Sequence, residues 1–342
     1  MPDHAYAFGI MVRTLISDPM LRMLVVAVAL AAALPATGHA RSILQMAANL
    51  GIFALFLLNG MRIARREILA GAANLKFIGP LILWCFGAMA LLGLCFYRAA
   101  PLSIPPLVAI GFLYLGVLPT TIQSSTSYSS LANGNVALSV IAAALLSILG
   151  VFISVPIFIA LGGTGDEAVG SDAVIKIMMI LIVPFAIGQV VQTRTRGFIS
   201  AHKPKIIWLD RGVIALAVYV AFSGAVEQGI WTRIDPQGWL WTAAMVLALI
   251  AIGHIGAWLA TKALGLSFED RISFLFAGGQ KSAAIGAPLA TILFKPSMAG
   301  FIVLPLLLYH LAQLVLAAPL ASRLKSLPRP DSDDCTAPTT GN

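Results

Sequence analysis

No charged residue occurs between Arg98 and Asp166. This uncharged run of residues 99–165 excludes a fold whose whole surface is exposed to water. Over the whole chain of 342 residues, only 11% of the residues are charged and 59% are hydrophobic. A soluble domain usually carries about 25% charged residues, so this chain cannot cover its surface in water. The composition predicts an integral membrane protein in a lipid bilayer and excludes soluble enzymes and nucleic-acid-binding proteins.

Ten apolar segments are predicted to be membrane spans, since a span needs about 20 mostly apolar residues. Charged or Pro- and Gly-rich breaks delimit them to residues 21–35, 43–60, 78–97, 104–132, 136–161, 173–192, 208–226, 240–261, 272–294 and 301–320. They divide the chain into an N-terminal segment (1–20), a transmembrane domain (21–327) and a polar tail (328–342) whose composition predicts disorder. Residues 1–20 lack the pattern of a removable signal peptide, so span 1 is predicted to be retained.

Lysine and arginine predict the orientation of these spans. With ten spans, both termini and the even-numbered links share one side, which holds 16 of the 22 basic residues. The other side holds four, namely Arg41, Arg98, Arg233 and Lys295. Because basic residues favour the cytoplasmic side, both termini are predicted to be cytoplasmic. Of the two that remain, Lys176 can extend to the interface from the start of span 6, whereas Lys281 lies within span 9.

Span 4 contains a polar interruption in an otherwise apolar segment. Pro119 removes one backbone hydrogen bond of the helix, and a run of neutral polar residues follows it. The candidate ligands in this run are Thr120, Thr121, Gln123, Ser124, Ser125 and Thr126. A broken helix here would free carbonyls to bind a cation or a substrate, while the alternative is an ordinary polar loop after a short span.

Span 9 contains a second polar interruption. It begins with two glycines that loosen the helix, Gly278 and Gly279, and continues with three polar residues and a proline. These are Gln280, Lys281, Ser282 and Pro288. This pattern predicts a second broken helix, to which Pro288 adds a further break. The alternative is a set of small residues for close helix packing, with Lys281 bonded to a carbonyl.

The two interruptions occupy matching positions, in the fourth span of each half. Corresponding spans are offset by about 160 residues, and five spans per half make the second half cross the membrane in the opposite sense. Interrupted segments at corresponding positions indicate the binding site of a transporter built from inverted repeats. The fold predicted is an all-α membrane protein with ten helices in two inverted five-helix repeats, whose discontinuous helices 4 and 9 cross.

Motifs of other functional classes are missing from the sequence. Cys85, Cys95 and Cys335 have neither the spacing of a metal site nor that of a disulfide framework. No HExxH, nucleophile elbow or ATP-binding GxxxxGK[ST] motif occurs. The prediction is therefore a transporter without a cofactor, rather than an enzyme or a primary pump.

In its two interruptions the chain resembles the bile acid:sodium symporter superfamily, and more closely its bacterial-type, sodium–bile acid symporter-like branch. The phrases that carry the resemblance are LPTTIQSSTSYSSLANGNVALSV (residues 118–140) and GGQKSAAIGAPLATILF (278–294). The resemblance implies a core domain of spans 3, 4, 5, 8, 9 and 10, and a panel of spans 1, 2, 6 and 7 that moves against it. It also implies a bacterial inner membrane location.

The resemblance further implies a sodium site, with two departures from the family pattern. Residue by residue, Ser125, Thr126, Ser139 and Gln280 occupy positions that bind Na⁺ in sodium-coupled members. Phe276 stands where those members have Glu, and Lys281 stands where they usually have a neutral residue. Since the spans contain no Asp or Glu apart from Asp210 at the start of span 7, an ammonium close to the site would oppose Na⁺ binding.

Lys281 is therefore predicted to take the place of the missing ion, either as a built-in cation or as a proton-coupling group. Its charge would also suit a carboxylate or sulfonate of a substrate. His254 and His310, both within spans, are the other possible proton carriers, although a histidine bonded between helices is the commoner case.

The sequence favours a secondary carrier of a small organic anion that works by alternating access, with Na⁺ or H⁺ as a possible coupling ion. Three alternatives stay open: a proton-coupled or uncoupled carrier, a membrane-embedded enzyme that uses His254 or Lys281, and a non-transporting membrane regulator on the same fold.

Overall fold

The computed structural model describes residues 19–63, 74–163, 175 and 178–327, and within these ranges the protein is all-helical, without strands. The predicted N-terminal segment before Pro19, the tail from residue 328, and Lys176 lie outside the described residues. The helices are Pro19–Ala33 (α1), Gly38–Arg62 (α2), Leu75–Arg98 (α3), Pro106–Val117 (α4), Ile122–Leu131 (α5), Val136–Ala160 (α6), Met178–Ala201 (α7), Lys203–Glu227 (α8), Ile230–Arg233 (α9), Pro236–Ala263 (α10), Phe268–Gly279 (α11), Ala283–Leu293 (α12) and Pro296–Lys325 (α13).

Seven of these helices are long and apolar enough to cross a membrane: α2, α3, α6, α7, α8, α10 and α13. The pair α4 and α5, bent by 61° at its break, makes an eighth candidate. Helix α1 has 15 residues and at 1.5 Å per residue is shorter than the apolar core of about 30 Å. Predicted spans 4 and 9 each contain two helices separated by an unwound segment. An all-helical protein with seven or eight candidate spans is thus established in the described residues.

Several helices begin at sequence signals that supply or spare hydrogen bonds. Prolines occupy the first or second position of α4, α8, α10 and α13, where their missing N–H costs nothing. The Asp235 side chain accepts from the Gly238 N–H at 2.6 Å and caps α10. The Asn135 side chain accepts from the Leu138 N–H at 3.1 Å and caps α6.

The centre of the protein is formed by the short helices of the two interruptions. Every residue of α4 from Val108 to Val117 is buried, and so are most residues of α12 and those of α11 from Ile272 onward. Helix α13 packs against α4 and α12 along much of its 30 residues. The longer helices α2 and α7 pack against each other at the side of this core.

Helices α2 and α7 approach each other closely at two glycines. A Cβ atom on Gly60 would lie 2.3 Å from the Phe185 carbonyl oxygen, and one on Gly188 would lie 2.3 Å from the Leu57 carbonyl oxygen. Side chains at these positions are therefore incompatible with the observed spacing, which is the packing that small residues permit in membranes.

We expect Gly60→Ala to separate α2 from α7 and to lower the free energy of unfolding by about 1–3 kcal/mol, as overpacking of a tight contact does. Gly79→Ala in α3 is the matched control, because nothing lies within 4 Å of its added Cβ. The control should be neutral or stabilising by up to about 1 kcal/mol through helix propensity. Thermal unfolding of both variants in detergent measures the difference, and equal midpoints would contradict the close approach.

Candidate functional site

Helix α4 ends at Val117 because a proline follows two positions later. Pro119 has no N–H to donate, and its ring disfavours a helical conformation for the residue before it. Leu118 is accordingly extended, with φ −73° and ψ 148°. The chain remains unwound through Thr121 and becomes helical again at Ile122, the first residue of α5.

The second break separates α11 from α12 at residues 280–282. Gln280 is extended, with φ −83° and ψ 145°. The Ser282 side chain accepts a hydrogen bond from the Ile285 N–H at 3.2 Å and so caps the first turn of α12. The structure thus breaks both predicted spans where the polar residues lie.

Pro288 does not add the further break that the sequence predicted. It lies inside α12, which runs from Ala283 to Leu293. A proline within a helix removes one backbone hydrogen bond, and the buried surroundings of this short helix hold the rest of it in place.

The two glycines before the second break serve close packing. A Cβ on Gly278 would lie 2.8 Å from the Trp84 indole, and one on Gly279 would lie 2.7 Å from the His254 ring. Both glycines belong to the last turn of α11, so the unwinding begins after them.

The two unwound segments are bonded directly to each other. Three hydrogen bonds connect them: from the Ser282 N–H to the Pro119 carbonyl at 2.9 Å, from Thr121 Oγ1 to the Lys281 carbonyl at 2.8 Å, and from Ser124 Oγ to Gln280 Oε1 at 2.9 Å. We call this region of contact, residues 118–124 and 279–282, the crossover. It brings together residues that are about 160 positions apart in the sequence.

The Lys281 side chain ends at the C-terminus of α4. Its ammonium donates to the carbonyls of Gly116 at 2.8 Å and Leu118 at 2.7 Å, with a longer contact of 3.4 Å to the Cys85 carbonyl. The residue is fully buried, at 0% exposure. A lysine has three donors, and all three are directed at backbone oxygens, at the end of a helix where the dipole favours a cation. The ammonium is thus bonded within the protein and is not free to pair with a substrate in this conformation.

Side chains of α13 hold the backbone at the second break. Gln313 accepts from the Lys281 N–H at 2.8 Å and donates to the Lys281 carbonyl at 3.0 Å. The Tyr309 hydroxyl donates to the Gly279 carbonyl at 2.7 Å. Helix α13 is thus bonded to the second break through both residues, and nothing in the sequence assigned Tyr309 to the site.

Two further hydroxyl groups hold carbonyls of the broken helices. Ser154 of α6 donates to the Val117 carbonyl at 2.8 Å, and Tyr114 of α4 donates to the Gly286 carbonyl of α12 at 2.6 Å. Sequence reasoning missed both residues. Their only signal is a hydroxyl group within an apolar span, which requires a partner when it is buried in a membrane.

The side chains that the resemblance assigns to Na⁺ make contacts within the protein. Thr126 donates its hydroxyl to the Ile122 carbonyl of its own helix at 2.8 Å. Ser139 is bonded to Ser129 of α5, with 3.2 Å between the two Oγ atoms. Ser125 is buried and makes only a long contact of 3.5 Å, again to Ile122. The oxygens of these side chains are neutral and keep lone pairs beside these hydrogen bonds, so Na⁺ binding here stays a prediction.

Where the resemblance implies a glutamate, this chain has Phe276, which packs against a second aromatic ring. Phe276 is fully buried, and its ring centroid lies 5.7 Å from that of Tyr128. The Gln280 side-chain oxygen, the last member of the proposed set, already accepts from Ser124. No acidic group is therefore supplied at the position where the family resemblance implied one.

The two candidate proton carriers have different surroundings. His254 is buried and contacts the Ile250 carbonyl of its own helix through Nδ1, at 2.8 Å. The Nδ1 atom of His310 lies 2.8 Å from Nε2 of Gln313, which connects this histidine to the backbone of Lys281. His310 therefore belongs to the bonded network at the crossover, and His254 packs beside it.

Two buried polar atoms at the crossover have no hydrogen-bond partner among the described residues: Oγ1 of Thr120 and Nε2 of Gln280. Thr120 is 1% exposed and Gln280 is 0% exposed. Helix α5 begins one residue beyond Thr121, whose side chain does not cap it. The adjacent face of α5 is polar and accessible, since Gln123, Ser127 and Ser130 are exposed. These groups can donate hydrogen bonds to a ligand that carries acceptors.

Comparison with known proteins agrees with the resemblance seen in the two interruptions. The sequence model of the SBF-like CPA transporter family matches residues 18–326. The chain is 36% identical over 308 residues to "Uncharacterized protein PA2026" of Pseudomonas aeruginosa, and this alignment covers 90% of this chain and 92% of the relative. It is 35% identical over 311 residues to "Putative symporter YfeH" of Escherichia coli K12, covering 91% and 93%. Identity to "Sodium/bile acid cotransporter 7" of Rattus norvegicus is 23% over 287 residues, covering 81% and 82%.

Together with the apolar helices, these similarities show an integral, multi-pass membrane protein of the bile acid:sodium symporter-like type. The prediction of a transporter rather than an enzyme is confirmed by this relationship.

We expect Lys281→Met to lower the stability of the protein, because the carbonyls of Gly116 and Leu118 would lose the ammonium that they share. A buried carbonyl without a partner costs about 1–3 kcal/mol. The thermal unfolding midpoint in detergent should therefore fall by about 5 °C or more. Lys262→Met, which removes an exposed lysine at the end of α10, is the control. If both variants unfold at the same temperature, Lys281 does not hold the end of α4.

Proposed function

The chain belongs to the SBF-like CPA transporter family, and we propose that it is a secondary carrier that moves a small organic anion by alternating access. The observation that carries this proposal is the crossover, where two broken helices meet and leave buried donors without partners. Such a site in the middle of the membrane is where transporters built from inverted repeats bind their substrates.

The proposed architecture has ten spans in two inverted halves. Each helix of the second half begins about 160 residues after its counterpart in the first half. The first such pair is α1 and α7, and the last is α6 and α13. The breaks match closely, since α4 and α11 each have 12 residues and each precedes an unwound segment. This correspondence supports counting α1, the pair α4 and α5, and the pair α11 and α12 as one span each.

The proposed orientation places both termini in the cytoplasm of a bacterial cell, with the carrier in the inner membrane. Contacts at the two faces are consistent with a single topology. The Asn135 N–H donates to the Glu269 carbonyl at 3.1 Å, which puts the end of α5 beside the start of α11. Arg41 pairs with Glu227 at the opposite face, where α2 begins and α8 ends. The bias of basic residues assigns the first of these faces to the cytoplasm.

An anionic group is the ligand best suited to the crossover. The first N–H groups of α5 have no side-chain cap, and the N-terminus of a helix carries a partial positive charge. The Thr120 hydroxyl and the Gln280 amide can add two donors to a carboxylate or a sulfonate. Lys281 contributes through its charge rather than through contact, because its donors are occupied.

The proposed carrier does not use Na⁺ at the crossover. The ammonium of Lys281 supplies a fixed positive charge at the end of α4, and the oxygens expected to bind Na⁺ are neutral and bonded elsewhere. A mobile cation next to this ammonium would be repelled. The proposed coupling is to H⁺, with His310 in the Lys281 network as the carrier of the proton, or else transport is uncoupled.

The proposed moving parts are a panel of α1, α2, α7 and α8 and a core of the remaining spans. At the outer face the two parts are tightly packed: a Cβ on Gly224 would lie 2.0 Å from the Pro296 carbonyl, and one on Gly300 would lie 2.4 Å from the Ala221 carbonyl. At the inner face, polar residues of α5 are exposed. We infer that this polar face lines a water-filled cavity rather than facing lipid, and that the conformation is open to the cytoplasm and closed to the outside.

Uptake into proteoliposomes tests the substrate class and the coupling. A panel of labelled carboxylates and sulfonates is offered with Na⁺ and pH gradients imposed separately. We expect at least one anion to be taken up without a Na⁺ gradient. Uptake that requires Na⁺ would overturn the proposed coupling, and the absence of uptake for the whole panel would favour the non-transporting regulator.

Thr120→Val sharpens this test, because it removes a hydroxyl that has no partner in the protein. We expect it to leave folding intact and to weaken the apparent affinity for the anion about tenfold or more, as loss of a hydrogen bond to a charged group does. Ser103→Ala, which removes another unpartnered hydroxyl outside the crossover, is the control and should leave affinity unchanged.

Labelling of Ser223→Cys tests the closed outer face in a background without the native cysteines. Ser223 is fully buried in α8, so a membrane-impermeant maleimide added from outside should react slowly. Adding Gly300→Val should prevent close packing of α13 on α8 and speed labelling several-fold. The control is Gly212→Val in α8, where an added Cβ meets nothing within 4 Å. Equal labelling rates in the two double variants would contradict the proposed closure.

A further inference from the structure

An apolar groove lies between α1, α2 and α8, away from the crossover. Its volume is about 680 Å³, within the range of about 300–1,000 Å³ that is usual for ligand sites. The walls are formed by aliphatic side chains, among them Val26 and Leu30 of α1, Leu44 of α2 and Leu216 of α8. Val26 and Leu30 are 62% and 46% exposed, so the groove opens toward the surroundings of the protein and not toward its core.

The two ends of the groove differ in chemistry. At one end lie Arg22 of α1 and Trp208 of α8. The guanidinium of Arg211 lies 5.2 Å from the centre of the Trp208 ring and adds a second positive charge there. Arg22 is exposed and forms no ion pair with any described residue. At the other end lies Tyr219, and none of the described residues that line the groove is acidic.

The length of the groove corresponds to one leaflet of a bilayer. From Trp208 to Tyr219, α8 rises about 16 Å at 1.5 Å per residue, and half of the apolar core measures about 15 Å. Tryptophan is enriched at the level of the lipid headgroups, and an arginine near the end of a helix extends its side chain to the same level. The groove thus has an apolar part for acyl chains, and a basic, aromatic end at the depth of a phosphate.

We propose that this groove binds an anionic phospholipid of the cytoplasmic leaflet, with its phosphate on Arg22 and its acyl chains along α1 and α8. The basic end belongs to the face where α1 and α8 begin, which the proposed orientation places in the cytoplasm. Arg22 forms two parallel hydrogen bonds to a phosphate, a geometry that guanidinium groups favour. The lipid fills the space between α1 and α8 and becomes part of the panel.

Native mass spectrometry of the purified full-length chain, titrated with phosphatidylglycerol or phosphatidylcholine, tests the headgroup. We expect phosphatidylglycerol to bind more tightly, and Arg22→Gln to weaken its binding about fivefold while leaving phosphatidylcholine unaffected. Arg323→Gln, which removes an exposed basic residue at the end of α13, is the matched control. Glycerol phosphate without acyl chains should not compete. Equal affinity for the two lipids, or unchanged binding by Arg22→Gln, overturns the proposal.

A second pair of variants tests the apolar part of the site. Leu30→Trp should fill the groove and weaken the binding of both lipids, whereas Leu50→Trp, at an exposed position of α2 outside the groove, should not. A photoreactive benzophenone side chain at Val26 identifies the occupant directly. Crosslinks to phospholipid support the proposal. Crosslinks to residues 1–18 or to a second copy of the chain overturn it.

Discussion

In the middle of a bilayer no water is available for a backbone carbonyl, and the whole arrangement of the crossover depends on this constraint. Breaking α4 at Pro119 exposes carbonyls at the end of a helix, where they also carry the negative end of the dipole. Lys281 supplies both a hydrogen-bond donor and a positive charge, because its ammonium bonds to two of these carbonyls at 2.7 and 2.8 Å. The cation from the other broken span thus stabilises the break, together with Ser154 and the Ser282 N–H, which donate to the Val117 and Pro119 carbonyls.

A cation that is part of the chain behaves differently from a bound ion. Na⁺ can leave, so its binding can be coupled to a gradient, whereas the charge of Lys281 stays in the core as long as it is protonated. The rigidity of the crossover then no longer depends on ion binding. Motion is expected instead at the contacts between the proposed panel and core, where Gly224 and Gly300 allow close packing.

The sequence predicts the breaks but not their chemistry. Pro119 and the polar residues after Gly279 have local effects on the backbone, which is why both breaks lie where the sequence places them. Pro288 has a local effect too, but buried packing overrides it. The partners of Lys281 come from residues more than 160 positions away, and hydroxyl groups such as that of Tyr309 give no periodic or motif signal. Contacts of that kind follow from the tertiary fold and cannot be read from spacing.

The two halves of the chain match in the lengths of α4 and α11 and in the breaks that follow them, but they differ in charge. At the end of α4 the carbonyls meet an ammonium, while at the end of α11 the Gly279 carbonyl meets the neutral hydroxyl of Tyr309. The centre of the protein therefore carries a positive charge with no carboxylate near it in sequence. At an effective dielectric constant of about 20, a unit charge about 10 Å away changes the energy of a ligand charge by roughly 1.5–2 kcal/mol. That term favours anions and opposes cations by the same amount, which is why the substrate that we propose is an anion.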